Sequence, residues 1–157
     1  MKIKKVCLSD IPNWVLLSNE YDKYVKETVS DLTEWYEGSN TALSFDNYMK
    51  SKISKNEAFM AIDEKNECCG IIAISKKNNN ITFFGVSHKH DFYSTGEYLL
   101  DYALSQLNQN ISIKINELKS NAEQIQKTYA LLNKYKFVYL CDVLENGVVV
   151  NCMERIP

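Results

Sequence analysis

Hydrophobic and polar positions along this chain change period several times, and each change marks an element. Ile3, Val6 and Leu8 alternate imperfectly, which predicts a first strand over Ile3 to Leu8. In Ser9-Asp10-Ile11-Pro12, either Ser9 or Asp10 can cap a helix and Pro12 suits its first turn. Trp14, Leu17, Tyr21 and Tyr24 then recur at helical spacing to about Val25. Further helical stretches are expected over Asp31 to Glu37 and Phe45 to Ser54, separated by Gly38-Ser39-Asn40. The texture then becomes strand-like over Ala58 to Asp63, Cys69 to Ser75 and Ile81 to Val86. The turns between them, Glu64-Lys65-Asn66 and the run Lys76 to Asn80, predict an antiparallel meander.

Ser94-Thr95-Gly96 opens the next helical run, where Tyr98, Leu99, Tyr102, Ala103 and Leu107 share one face with a serine or threonine cap. A strand over Ile111 to Ile115 follows. Ser120 or Asn121 then caps a helix carrying Ile125, Tyr129, Leu132 and Tyr135. Two closing strands, Phe137 to Leu144 and Val148 to Met153, meet at Glu145-Asn146-Gly147, and Asn-Gly is a strong hairpin signal.

Length and composition narrow the function classes. At 157 residues with 45% hydrophobic and 24% charged positions, the chain matches one globular domain spanning 1–157. The net charge is −2 and Arg155 is the only arginine, which argues against nucleic acid as a partner, because bidentate base and phosphate contacts rely on guanidinium groups. No apolar run approaches the roughly 20 residues that span a bilayer, so no membrane partner and a cytoplasmic location are expected. The five cysteines, Cys7, Cys68, Cys69, Cys141 and Cys152, lack CxxC spacing and lie in apolar stretches. They read as reduced core thiols, with no metal site.

The order of one strand, two or three helices, three antiparallel strands, helix, strand, helix and two strands resembles the Gcn5-related N-acetyltransferase (GNAT) family. The resemblance sharpens from Val86 to Leu100, where Val86-Ser87-His88-Lys89-His90-Asp91-Phe92-Tyr93-Ser94-Thr95-Gly96-Glu97-Tyr98-Leu99-Leu100 aligns without a gap with the family's cofactor segment. There a strand ending in valine leads through Arg/Gln-x-x-Gly-x-Gly/Ala into a helix. Val86, Gly96 and Leu99-Leu100 keep that pattern, whereas Asp91 replaces the arginine or glutamine and Ser94 the first glycine. The physical basis is a helix N-terminus whose unpaired amides and dipole accept a pyrophosphate. A carboxylate at Asp91 would repel that anion unless its side chain turns outward or Lys89, His88 and His90 offset it.

The resemblance implies an α/β fold: a mixed, mainly antiparallel sheet of six or seven strands, one parallel pair at a splay, and helices on both faces. It implies acetyl-CoA as co-substrate, bound by Phe84, Gly85, Val86 and Ser87 on the splayed strand and by Asp91, Phe92, Tyr93, Ser94, Thr95, Gly96 and Glu97. Gly85 inside that strand reads as a bulge, a close backbone approach or a sheet kink. The family's second signature, Asn-x-x-Ala-x-x-Leu-Tyr-x-Lys-x-Gly-Phe, ends at Phe137. Leu132 stands at its tyrosine and Lys136 at its glycine. Counted from Asn121 instead, the helix is about one turn longer and Tyr129 falls near the general acid. The cofactor strand has no carboxylate, leaving His88 as the nearest titratable group for a base.

The implied reaction is direct attack of a primary amine, on a small molecule or a peptide, upon the thioester. Seven carboxylates against two lysines between Glu20 and Asp46 suit a cationic acceptor, with Glu34, Trp35 and Tyr36 as its contacts. A homodimer is a further expectation. The competing class is a binding module that keeps the fold and CoA affinity without turnover. A third class, a thiol-dependent acyl carrier or hydrolase at Cys68 or Cys69, lacks a histidine-containing motif.

Overall fold

A computed structural model describes residues 1–28 and 41–157, the side chains of 28 and 41–46 excepted. The elements are β1 (Lys2–Lys5), a 3-10 turn (Leu8–Asp10), α1 (Ile11–Thr28), α2 (Thr41–Ser54), β2 (Ala58–Ile62), β3 (Cys68–Ser75) and β4 (Asn80–Val86). They continue with α3 (Phe92–Gln106), β5 (Ile113–Leu118), α4 (Glu123–Lys134), β6 (Phe137–Glu145) and β7 (Val148–Arg155). The helix expected over Asp31 to Glu37 lies outside the described residues.

One seven-stranded sheet runs β1-β2-β3-β4-β5-β7-β6, and every neighbouring pair is antiparallel except β4–β5. This is the mixed α/β sheet expected from the sequence. On one face Phe59, Ile72, Ile74 and Phe84 pack with Leu99 of α3 and Leu131 of α4. On the other, Trp14 and Leu17 of α1 and Met49 of α2 cover Met60 and Ile71. Each helix supplies its apolar stripe at spacings of three and four, as Leu99, Leu100, Ala103 and Leu104 do on α3. No described helix is long and apolar enough to cross a membrane.

The β4–β5 pairing is short. Only Asn80 and Ile81 pair, with Lys114 and Ile115, and the strands then diverge. The cause lies on the other edge of β4. Ala73 faces Phe83 while Ile74 faces Ile81, so Thr82 is an extra residue that bends the second half of the strand away from β5. The bulge is therefore at Thr82, and Gly85 pairs in register with Ile71. The missing side chain of Gly85 makes room for its own neighbour, because a Cβ there would meet the Phe83 ring at 2.9 Å.

Several boundaries move for identifiable reasons. β1 stops at Lys5 because the Asp10 carboxylate accepts the Cys7 N–H at 2.9 Å and closes the 3-10 turn ahead of α1. α3 begins two residues before the expected Ser94 or Thr95 cap, with Asp91 as its N-cap. Neither Ser120 nor Asn121 caps α4. Ala122 holds that place, and the Ser120 hydroxyl accepts the Ala122 N–H. β5 runs over Ile113–Leu118 instead of Ile111 to Ile115, because the Asn79 side chain, bonded to Asn108 and Ser112, holds the preceding residues in a loop. The closing hairpin has the positive φ values its Asn-Gly pair implies, 51° at Asn146 and 80° at Gly147. All five cysteines are free, but Cys7 and Cys141 are exposed, so they are not core thiols.

Candidate active site

Where β4 leaves β5, the sheet opens onto two cavities. The larger, about 490 Å³, lies beneath α1 and is walled by Trp14, Asp22, Tyr48 and Phe83, by Lys114 of β5, and by Glu145 at the β6–β7 turn. The smaller is a slot of about 20 Å³ along the free edge of β4, flanked by Gly85, Val86, Phe92, Gln124 and Thr128. Tyr21, Phe84 and Glu117 line both, so these three residues form the partition between them.

Glu117 gives the partition its chemistry. Its carboxyl group is buried, and burial pushes its pKa up to about 7 from an ordinary 4.5. Two hydrogen bonds oppose that rise: Oε1 accepts the Leu118 N–H at 2.7 Å and the Tyr21 hydroxyl at 3.1 Å. The Glu145 charge across the larger cavity adds to it. Burial beside this carboxyl in turn drives the Tyr21 phenol well above its usual range. The result is a carboxyl group that exchanges a proton near neutrality, with the larger cavity on one side and the narrow slot on the other.

Along the expected cofactor strand, main-chain groups alternate between edges. The Ser87 N–H donates to the Cys69 carbonyl at 2.8 Å, so Ser87 and Gly85 turn their amides toward β3. Phe84 and Val86 turn theirs toward the slot, where the Gln124 side chain donates to the Val86 carbonyl at 3.1 Å. The His88 ring approaches Glu20 at 2.6 Å and ties the β4–α3 loop to α1 across the slot.

The α3 N-terminus differs from its expected form. The exposed Asp91 carboxylate turns back onto the helix end, and Lys89, His88 and His90 are not what offsets it. It accepts the Ser94 N–H at 2.9 Å, and this bond lowers its pKa. Asp91 thus holds an amide that an anion would otherwise use, leaving the N–H groups of Phe92 and Tyr93. Lys127 is the cation whose field reaches it. The side chains of Phe92 and Thr95 are buried. Gly96 faces α4, where a Cβ would stand 2.6 Å from Leu131 Cδ2 and 3.1 Å from the Phe84 ring. Glu97 pairs with Lys134, and Tyr93 is exposed.

Tyr129 is placed differently from its expected orientation. Its hydroxyl donates to the Leu118 carbonyl at 2.6 Å and accepts from Asn151 Nδ2 at 3.0 Å, and burial pushes the phenol up to about 12. The physical reason is the end of β5, where the Glu117 and Leu118 carbonyls both lie within reach of that O–H. Tyr129 borders neither cavity. Glu34, Trp35 and Tyr36 lie outside the described residues. Glu117 and Tyr21 went unrecognised as site residues. The available signal was the alternation Ile113, Ile115, Glu117, which puts a carboxylate on the inward face once the strand is extended by two residues.

No family model and no curated protein matches this sequence. Solved structures do match its fold. An acetyltransferase of the GNAT family from Streptococcus agalactiae aligns over 99% of this chain and 95% of its own, with a TM-score of 0.69 and 14% identity. The fold is that of the GNAT acetyltransferases. PaiA N-acetyltransferase from Thermoplasma acidophilum, in complex with coenzyme A, covers 99% of this chain and 98% of its own at TM-score 0.58 and 15% identity. Arabidopsis thaliana Naa50, in complex with the bisubstrate analogue CoA-Ac-MVNAL, covers 98% and 97% at TM-score 0.62 and 16% identity. In this GNAT fold the slot beside β4 is the splay between the two parallel strands, and the larger cavity opens on the opposite side of Glu117.

Proposed function

We propose that the protein transfers an acetyl group from acetyl-CoA to a primary amine held in the larger cavity, with Glu117 as general base. The observation that carries this reading is the partition itself: a buried carboxyl group with a pKa of about 7, bordering both the cavity and the β4 slot. Phe84 and Val86 present main-chain groups where an amide-bearing pantetheine arm would pair, and the neighbours bound to coenzyme A or a CoA conjugate support that use. The Phe92 and Tyr93 amides and Lys127 would face the pyrophosphate.

In this mechanism Glu117 takes a proton from the ammonium form of the acceptor, and the neutral nitrogen attacks the thioester carbonyl. The N–C bond forms and the C–S bond breaks, and CoA leaves as a thiolate. The nitrogen gives up its second proton as the amide forms, and the thiolate is protonated to the thiol. Tyr21, donating to Glu117, holds the carboxylate between the two cavities. Asp22, Glu117 and Glu145 outnumber Lys114 along the cavity wall, which favours a cationic acceptor, and Trp14, Tyr48 and Phe83 offer it apolar surface. Five free thiols fit a cytoplasmic setting.

A second reading, a CoA-binding module without turnover, is favoured by the placement of the Tyr129 hydroxyl, which is held by the Leu118 carbonyl and borders neither cavity. Calorimetric titration with acetyl-CoA followed by thioester consumption with a panel of diamines and peptides separates the two. Binding with turnover supports the enzyme, binding alone supports the module, and absence of binding overturns both. Asp91→Asn keeps an N-cap acceptor and removes its charge. It should tighten acetyl-CoA binding about 5-fold at low salt, with the gain shrinking as salt is added. Tyr129→Phe should turn over at the wild-type rate and unfold with about 1 kcal/mol less stability, since its hydroxyl serves the end of β5. A large rate loss in a folded Tyr129→Phe would return that phenol to the mechanism.

A further inference from the structure

Beyond the cleft, three side chains from separate parts of the chain converge on the far side of the β4–α3 loop. Asp63 follows β2, Cys69 lies near the start of β3, and His90 precedes the Asp91 cap. One donor atom from each lies within 4.8 Å of the other two. They are the carboxylate, thiol and imidazole that together make up a borderline-metal donor set. We propose that Asp63, Cys69 and His90 form a zinc site that pins the β4–α3 loop to the β2–β3 turn. This reverses the metal-free expectation drawn from cysteine spacing, and it stands independently of the acetyl-transfer reading.

The geometry is close to what the ion needs. Zinc bonded at about 2.0–2.3 Å in tetrahedral geometry holds its donors roughly 3.3–3.8 Å apart. His90 Nε2 already lies 3.5 Å from Asp63 Oδ2, so the thiol has only a short distance to close. The carboxylate is oriented for the task. Its Oδ1 accepts the Lys65 and Glu67 N–H groups, each at 2.9 Å, which leaves Oδ2 facing the ring. The loop is oriented as well, because the His90 N–H donates to the Ser87 carbonyl at 3.0 Å.

The thiol is poorly used by the protein alone. Cys69 Sγ makes only a long contact of 3.6 Å to the Glu67 carbonyl. Charge also balances: one carboxylate and one thiolate neutralise a divalent ion, with the imidazole neutral. Binding breaks the Cys69 S–H bond, forms an S–Zn bond and releases that proton to solvent, with no change of oxidation state. The partly exposed Asp63 side provides the entry path. Complete burial of Cys69 argues against the alternative use of the same trio as a thiol nucleophile with its base, because no acyl substrate reaches the sulfur.

The test is titration of the full chain with zinc chloride in a non-chelating reductant, followed by calorimetry, with cobalt(II) as a spectroscopic substitute. We expect one ion per chain, a thiolate-to-cobalt charge-transfer band and a higher thermal midpoint with zinc. Cys69→Ser should abolish the band and weaken zinc binding about 100-fold or more, and His90→Gln, at a partly exposed position, should weaken it comparably with the fold intact by circular dichroism. Replacing the exposed Cys7 and Cys141 together by serine should change neither. No binding at micromolar zinc overturns the proposal. So does binding that survives His90→Gln in a folded protein, or binding that disappears with the Cys7 and Cys141 pair.

Discussion

Glu117→Gln should lower the rate of amine acetylation by about 10²–10⁴-fold while leaving acetyl-CoA affinity near wild type. The amide keeps the shape of the side chain and can still accept from Leu118 and Tyr21, so the loss isolates proton transfer. The wild-type rate should rise through an ionisation near pH 7, the value to which burial raises this carboxyl group, and that limb should disappear in the mutant. Stability should move the other way. A group whose folded pKa is raised from 4.5 to about 7 favours the folded state fully at pH below 4.5, and this contribution is lost as pH rises through 7. At pH 8 the buried charge therefore costs about 3 kcal/mol. The neutral glutamine escapes that cost, so Glu117→Gln should melt at a higher temperature than wild type at pH 8, and the two should converge near pH 4. Full activity in the mutant would remove Glu117 from the chemistry. A wild-type melting curve at pH 8 would show that the carboxyl group is not buried as described.

Gly96→Asp should unfold the protein. The sequence pattern suggests that Gly96 lies beside a pyrophosphate, where an aspartate would weaken CoA binding and spare the fold. The structure places it on the inner side of α3, wedged against α4: an added Cβ would stand 2.6 Å from Leu131 Cδ2 and 3.1 Å from the Phe84 ring. Both neighbours are buried, so neither moves into open space. An aspartate adds that clash to a carboxylate with no partner in an apolar contact, a combined cost of about 4 kcal/mol or more against a typical total of 5–15 kcal/mol. Gly96→Ala is the informative control. It carries the clash without the charge and regains about 1 kcal/mol of helix propensity, so it should fold with a loss of about 1–2 kcal/mol. Chemical denaturation of both variants checks this ordering. A stably folded Gly96→Asp with impaired CoA binding would restore the ligand-facing assignment.

Both results turn on what can be inferred from local pattern. The order of strands and helices, the meander from Ala58 to Val86, the Asn146-Gly147 hairpin and the apolar face of α3 were legible because each depends on residues a few positions apart, through side-chain period and turn stereochemistry. So was the splay after β4, although its cause was misplaced. The pattern offered Gly85 as the irregular residue, whereas the register slips at Thr82, and register is a relation between two strands.

The site is a different matter. Tyr21 and Glu117 are 96 residues apart, and nothing in the neighbourhood of either shows that one donates to the other or that burial raises the carboxyl pKa. Asp91 was recognisable as a misplaced charge in a phosphate loop, but not as the cap of α3, because that depends on where the Ser94 amide of its first turn points. Tyr129 shares a helix face with Leu132, which is a local fact, yet its hydroxyl is claimed by the Leu118 carbonyl of another element. The same holds for Asp63, Cys69 and His90, which meet only through the β2–β3 turn and the β4–α3 loop. Periodicity specifies which face of an element is buried, whereas desolvation and hydrogen-bond partners depend on what the rest of the fold brings against that face.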